Sequence, residues 1–133
     1  AVRSWEISQT NEFLTQMERF RGILICTTNR FEDLDQASVR RFNYKIGFRT
    51  LSPEGNLIFY EKLLSPLTGE SLNQREKAII GKIDDLTPGD FRIIRDRFAV
   101  MPQERVTNDM MIKALQEEGR IKKIQAGRKP IGF

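Results

Sequence analysis

The side chains best suited to chemistry here are one amide and a few arginines. Residues 23–30 read Ile-Leu-Ile-Cys-Thr-Thr-Asn-Arg, an apolar run that closes on the neutral amide of Asn29. A short interval later stand two adjacent guanidinium groups, Arg40 and Arg41, and much further on comes Arg92, in Leu-Thr-Pro-Gly-Asp-Phe-Arg. An amide at the carboxyl end of a buried parallel strand occupies the place where open α/β sheets bind ligands. There it would orient a water molecule or hydrogen-bond a phosphate oxygen without adding charge. Each feature read singly has a plainer meaning: Thr-Asn-Arg is good turn chemistry, and most arginine pairs are surface charge. The chain has no histidine, which removes His-based triads and the usual zinc sites, so no metal ligands are expected. The one cysteine, Cys26, cannot form an internal disulfide, which points to a reducing, cytoplasmic setting.

These groups need elements to hold them. Residues 4–20 place Ile7, Leu14, Met17 and Phe20 at helical spacing, and Gly22 ends the pattern. Ile23 to Cys26 then reads as a strand buried on both faces of a parallel sheet. Phe42, Tyr44, Ile46 and Phe48 alternate with polar residues or glycine, as in a half-exposed edge strand. Helix, strand, short helix, strand is an α/β order, although two strands alone make a poor sheet.

Past residue 50 the signals become purely helical. Ser52-Pro53 offers a cap with proline at the first helical position. Ser71 to Gln74 and Thr87 to Asp90 each match a capping box. Thr107 or Asn108 starts a fourth helix that should end near Glu118, before Gly119. The expected core is Leu57, Tyr60 and Leu64, then Leu72, Ile79 and Ile83, then Phe91, Ile94 and Phe98, then Met111 and Leu115. The fold class expected is therefore an α/β fragment followed by an all-α four-helix bundle. Its parts are residues 1–50, residues 51–118 and a basic tail, 119–133, with Arg120, Lys122, Lys123, Arg128 and Lys129 and no acid. Such a tail is most simply solvated.

Taken together, the residues carry more. The stretch Ser4 to Phe48, "SWEISQTNEFLTQMERFRGILICTTNRFEDLDQASVRRFNYKIGF", closely resembles the second half of an AAA+ ATPase core. It is most similar to the classical AAA branch, which includes microtubule-severing and substrate-remodelling members. The resemblance implies that residues 1–50 form the end of a P-loop parallel sheet, with residues 23–28 in its middle. It implies that Asn29 is the residue called sensor 1 and that Arg40 and Arg41, in "LDQASVRRF", are the arginine fingers, not both locked into internal ion pairs. The helical part resembles the family's lid, where Gly89-x-x-Arg92 matches the Gly-x-x-Arg form of sensor 2. The classical branch itself usually has Gly-Ala-Asp-Leu there, so the sequence departs from that branch. By the same likeness Pro88 and Gly89 would lie against the adenine, with Phe59 walling its other side or serving as core.

Arginine suits these roles because its planar fork matches phosphate geometry and stays charged, and phosphoryl transfer needs positioning and positive charge. A finger serving a neighbouring subunit implies a closed ring of identical subunits, a hexamer by family likeness. ATP and Mg²⁺ are the implied cofactors and a protein the implied client. No Gly-x-x-x-x-Gly-Lys-Ser/Thr loop occurs, and no apolar strand ends in Asp-Glu. The expectation is a C-terminal fragment that binds no cofactor and hydrolyses no ATP alone. No apolar run is long enough to cross a bilayer. The competing reading is a basic helix-turn-helix module with Arg92, Arg95 and Arg97 on its second helix. Against it, the net charge is only +4, and Asp84, Asp85, Asp90 and Asp96 would repel a nucleic-acid backbone.

Overall fold

The structure, a computed structural model, describes residues 4–127, with side chains from Glu12 onward. The side chain of Ile7, and Arg128 and Lys129 of the basic tail, lie outside the described residues. The chain divides into two compact units, Ala1–Gly47 and Phe48–Phe133.

In the first unit helix α1 spans Ser4–Arg19 and a short helix α2 spans Gln36–Arg40, preceded by a 3₁₀ turn at Phe31–Asp33. Leu14 is buried, whereas Phe20 of the expected stripe is exposed. The α/β fragment expected for residues 1–50 does not form: among the described residues there is no strand. The apolar run has no buried face, with Ile23 89% and Ile25 80% exposed. The alternating stretch fares likewise, with Tyr44 85%, Ile46 76% and Phe48 93% exposed. The physical reason is that a helix closes its hydrogen bonds within itself, whereas a strand exists only against a neighbour. Period-2 alternation and an apolar run record a preference for a sheet, not the presence of one.

The second unit is a helical bundle. Helix α3, Pro53–Phe59, runs into a π-helical turn, Tyr60–Leu64; α4 is Gln74–Gly81, α5 is Pro88–Phe98 and α6 is Asn108–Gly127. Its starts are set by side-chain caps. Ser52 Oγ accepts the Gly55 N–H at 3.0 Å, ahead of Pro53 at the first position. Asp90 Oδ2 accepts the Thr87 N–H at 2.7 Å. Thr107 Oγ1 accepts the Met110 N–H at 3.2 Å. For α4 the box sits at Asn73 and Glu76, with bonds of 2.7 and 3.1 Å, rather than at Ser71. The Ser71 carbonyl instead accepts from Asn108 Nδ2.

Helix α3 packs on α4, α5 on α6 and on the π-helical turn, and α4 on α6. Of the expected core, Tyr60, Leu64, Phe91, Ile94, Phe98, Met111 and Leu115 are buried, while Leu57, Leu72, Ile79 and Ile83 pack partly buried against them. Ile80, Leu86, Val106 and Ile112 join the core as well. The Tyr60 hydroxyl donates to Asn108 Oδ1 at 2.8 Å, and burial pushes its phenol pKa up. Helix α6 does not stop at Gly119. That residue is buried, and a Cβ there would meet Ile83 Cγ2 at 3.2 Å and the Asp84 carbonyl oxygen at 3.4 Å. The glycine serves a close approach of helix to turn, not a helix end.

Candidate functional site

In the first unit, Asn29 lies exposed at a bend. Thr28 Oγ1 accepts the Arg30 N–H at 2.9 Å, which folds the chain around it, and Arg30 Nε pairs with Asp33 at 2.7 Å. Asp35 then caps α2, its Oδ1 accepting the Ser38 N–H at 2.6 Å. That backbone hydrogen bond, with the Ser38 side chain, holds the Asp35 carboxyl below its ordinary value; Arg41 adds a smaller pull.

The cap fixes the start of a helix whose far end presents the two arginines, and they end up in different circumstances. Arg41 donates Nε to Glu18 of α1 at 2.5 Å and Nη1 to the Ala37 carbonyl at 2.9 Å. Arg40 is exposed, and among the described residues no carboxylate lies within ion-pair distance of it. It borders a shallow groove floored by Phe31, Leu34 and Val39. So of the pair, one fork is engaged and one is free.

In the second unit, the other four candidates gather on or beside α5. Pro88 and Gly89 are its first two residues and are exposed. A Cβ on Gly89 would touch only Thr87 Oγ1, at 3.5 Å, so packing within the chain does not require glycine there. Arg92 is exposed, directly after buried Phe91. The Asp96 carboxylate that would have paired with it is taken by Arg95, at 3.0 and 3.1 Å. Phe59 is half-buried with its ring against Phe91, centroids 5.9 Å apart at 36°.

Two groups of the second unit carry no signal in the sequence. Lys122, read as part of a solvated tail, donates to Asp90 Oδ2 and to the Asp85 carbonyl. Asn56 is fully buried and donates Nδ2 to the Ile80 and Ile83 carbonyls. Neither had a local signal, because in each case the partner lies far along the chain.

The comparisons with known proteins bear on the first unit. Residues 4–50 match the family model described as ATPase family associated with various cellular activities (AAA). Asn29, Arg40 and Arg41 fall within the matched residues, whereas Phe59, Pro88, Gly89 and Arg92 fall outside them. No curated protein and no solved structure matches the chain. Among the described residues no helix is long and apolar enough to cross a membrane. The match is partial: residues 4–50 are similar to the AAA ATPase family, and the rest of the chain lies outside the matched segment.

Proposed function

We propose that this chain supplies the γ-phosphate-sensing and charge-stabilising side chains of an ATP hydrolase that remodels a protein client as a closed ring of identical subunits. In that ring Asn29 orients water at its own subunit's nucleotide. Arg40, with Arg41, serves the nucleotide of the adjoining subunit. Arg92, Gly89 and Pro88 of α5 read the phosphates and base from the lid, with Phe59 backing them through Phe91. Six subunits and a cytoplasmic setting follow the family likeness.

The residues present suit the anion more than its metal. Exposed arginines and a helix start without a Cβ at Gly89 fit phosphate oxygens. Among the described residues no group of three or more acidic, Cys or His side chains is placed to hold a cation. Mg²⁺ would neutralise phosphate charge when bound, on ligands other than these. The observation that carries the reading is the free guanidinium of Arg40 at the end of a capped helix inside the matched segment. An arginine already neutralised would stabilise a transition state poorly, whereas an arginine finger acting on its target is worth about 10³ to 10⁵ in rate.

The test is steady-state ATP turnover in a protein that joins these residues to a phosphate loop. Arg40→Ala should lower turnover by orders of magnitude while fluorescent-ATP binding stays within a few-fold of the parent. Mixing Arg40→Ala subunits with phosphate-loop-defective subunits should restore part of the activity, because each supplies what the other lacks. Unchanged turnover in Arg40→Ala, with Arg41→Ala equally silent, would refute the assignment.

A further inference from the structure

We propose that Lys122 is a positioning residue for α5: reaching from the last helix, it locks the turn on which Gly89 and Arg92 are mounted, and so sets how the lid meets nucleotide. This rests on the function proposed above.

The geometry has three independent parts. Asp90 Oδ2 collects the Thr87 N–H at 2.7 Å, the Thr87 hydroxyl at 3.0 Å and the Lys122 ammonium. Its side chain is only 7% exposed and that of Lys122 29%, so the carboxylate is a largely desolvated charge that needs its cation. Lys122 Nζ also donates to the Asp85 carbonyl at 2.8 Å. Asp85 has φ of 60°, a left-handed conformation that a non-glycine residue holds only when its surroundings impose it. Finally, Gly119 lets α6 press against this same turn, at Ile83 and the Asp84 carbonyl. Lys122 lies three residues later, on the same helix face, so the close approach delivers its ammonium to the turn.

The result is a strap. One lysine ties the residue at which the chain reverses, Asp85, to the third residue of α5, Asp90. Gly89 and Arg92 flank Asp90 within the same rigid helix and cannot reorient without breaking that tie. A surface lysine of a solvated tail would do none of this. Its neighbour Lys123 shows the contrast, with an exposed contact to Asp84 at 3.4 Å.

The test compares Lys122→Met with Lys122→Arg. In the 133-residue chain, hydrogen exchange at the Thr87 amide should quicken by about tenfold or more in Lys122→Met, the scale expected for losing a charged hydrogen-bond partner, and return towards the parent rate in Lys122→Arg. In the ATP-hydrolysing protein, at a temperature where the helical circular dichroism is unchanged, Lys122→Met should weaken binding of fluorescent ATP with Mg²⁺ by about tenfold. Adding Lys122→Met to Arg92→Ala should then cost little more than Arg92→Ala alone, because both act through one side chain. If Lys122→Met loses helical signal, the pair Asp90→Asn with Lys122→Met, which leaves no buried charge, takes its place in both assays. Parent-like exchange at Thr87 overturns the strap. Additive losses in the double variant overturn its connection to Arg92. A silent Arg92→Ala is a different failure, that of the nucleotide reading itself.

Discussion

The most exacting test of the helical bundle's construction is Asn56. It is fully buried, and its Nδ2 donates to the Ile80 carbonyl at 3.0 Å and the Ile83 carbonyl at 2.9 Å, closing the carboxyl end of α4. Two carbonyls converging on one amide require the nitrogen there, which leaves Oδ1 buried with no partner. Asn56→Leu keeps the volume and removes both bonds. Ile80 O retains a backbone N–H from Ile83, at 3.3 Å, so the Ile83 carbonyl bears most of the loss. An unsatisfied buried acceptor costs about 1 to 3 kcal/mol, and removing the orphaned Oδ1 returns part of it. The expected net loss is about 2 kcal/mol, a drop of about 1 M in urea midpoint at an ordinary denaturant slope. Asn56→Asp should behave differently because its carboxylate faces two carbonyl dipoles. The folded state then resists ionisation and raises that carboxyl's pKa above the unfolded value of about 3.9. A raised acid pKa means the unfolded state loses its proton first, so the deficit is smallest at low pH and widens as pH climbs through about 4 towards the folded value. Urea melts followed by helical circular dichroism at acid and neutral pH would show this. Equal midpoints for Asn56→Leu and the parent, or a pH-independent Asn56→Asp, would refute the argument.

Other outcomes follow from the same reasoning. Asp35 has a lowered pKa, so its cap on α2 is intact above the ordinary value of 3.8 and is lost as pH falls through the still lower folded value. An acid titration of the Ser38 to Arg40 carbon shifts should show that loss, and Asp35→Asn, which caps without ionising, should titrate flat. Gly119→Ala should fail to deliver the roughly 1 kcal/mol that alanine ordinarily adds inside a helix. Its Cβ would sit 3.2 Å from Ile83 Cγ2, which can yield, and 3.4 Å from the Asp84 carbonyl oxygen, which is backbone. Gly119→Leu should cost about 1 to 3 kcal/mol in a urea melt, as overpacking does. A stabilised Gly119→Leu would show that α6 stands further from the turn.

What could be read from sequence divides along a physical line. Ser52-Pro53 and Thr87 to Asp90 mark helix starts correctly because a cap and the N–H it satisfies lie within three residues of each other. The sequence points to Ser71 rather than Asn73 for the α4 box because both residues are competent caps; the choice turns on Asn108, which draws off the Ser71 carbonyl from across the bundle. Gly119 read as a stop for the same reason, since nothing local says that Ile83 will lie over it. Lys122 looked solvated because Asp90 is thirty-two residues away. The strands failed most completely, since every hydrogen bond of a strand is of this non-local kind.

The same line separates the candidate sites. In the helical bundle, the groups around α5 are held by satisfied partners inside the unit: Asp90 by Thr87 and Lys122, Phe59 by Phe91. In the first unit the devices that set Asn29 and Arg40 are local ones, the Thr28 turn at Asn29 and the Asp35 cap ahead of Arg40. The apolar residues between α1 and Asn29 are left in water, a state that costs free energy in proportion to the area exposed. Asn29 and Arg40 are thus oriented by their neighbours in sequence alone, whereas the proposed charge stabilisation would need side chains held to within about 0.5 Å. For that reason the decisive variants of Arg40 belong in a protein that joins these residues to a phosphate loop, while those of Asn56, Gly119 and Lys122 already have a defined setting in the helical bundle.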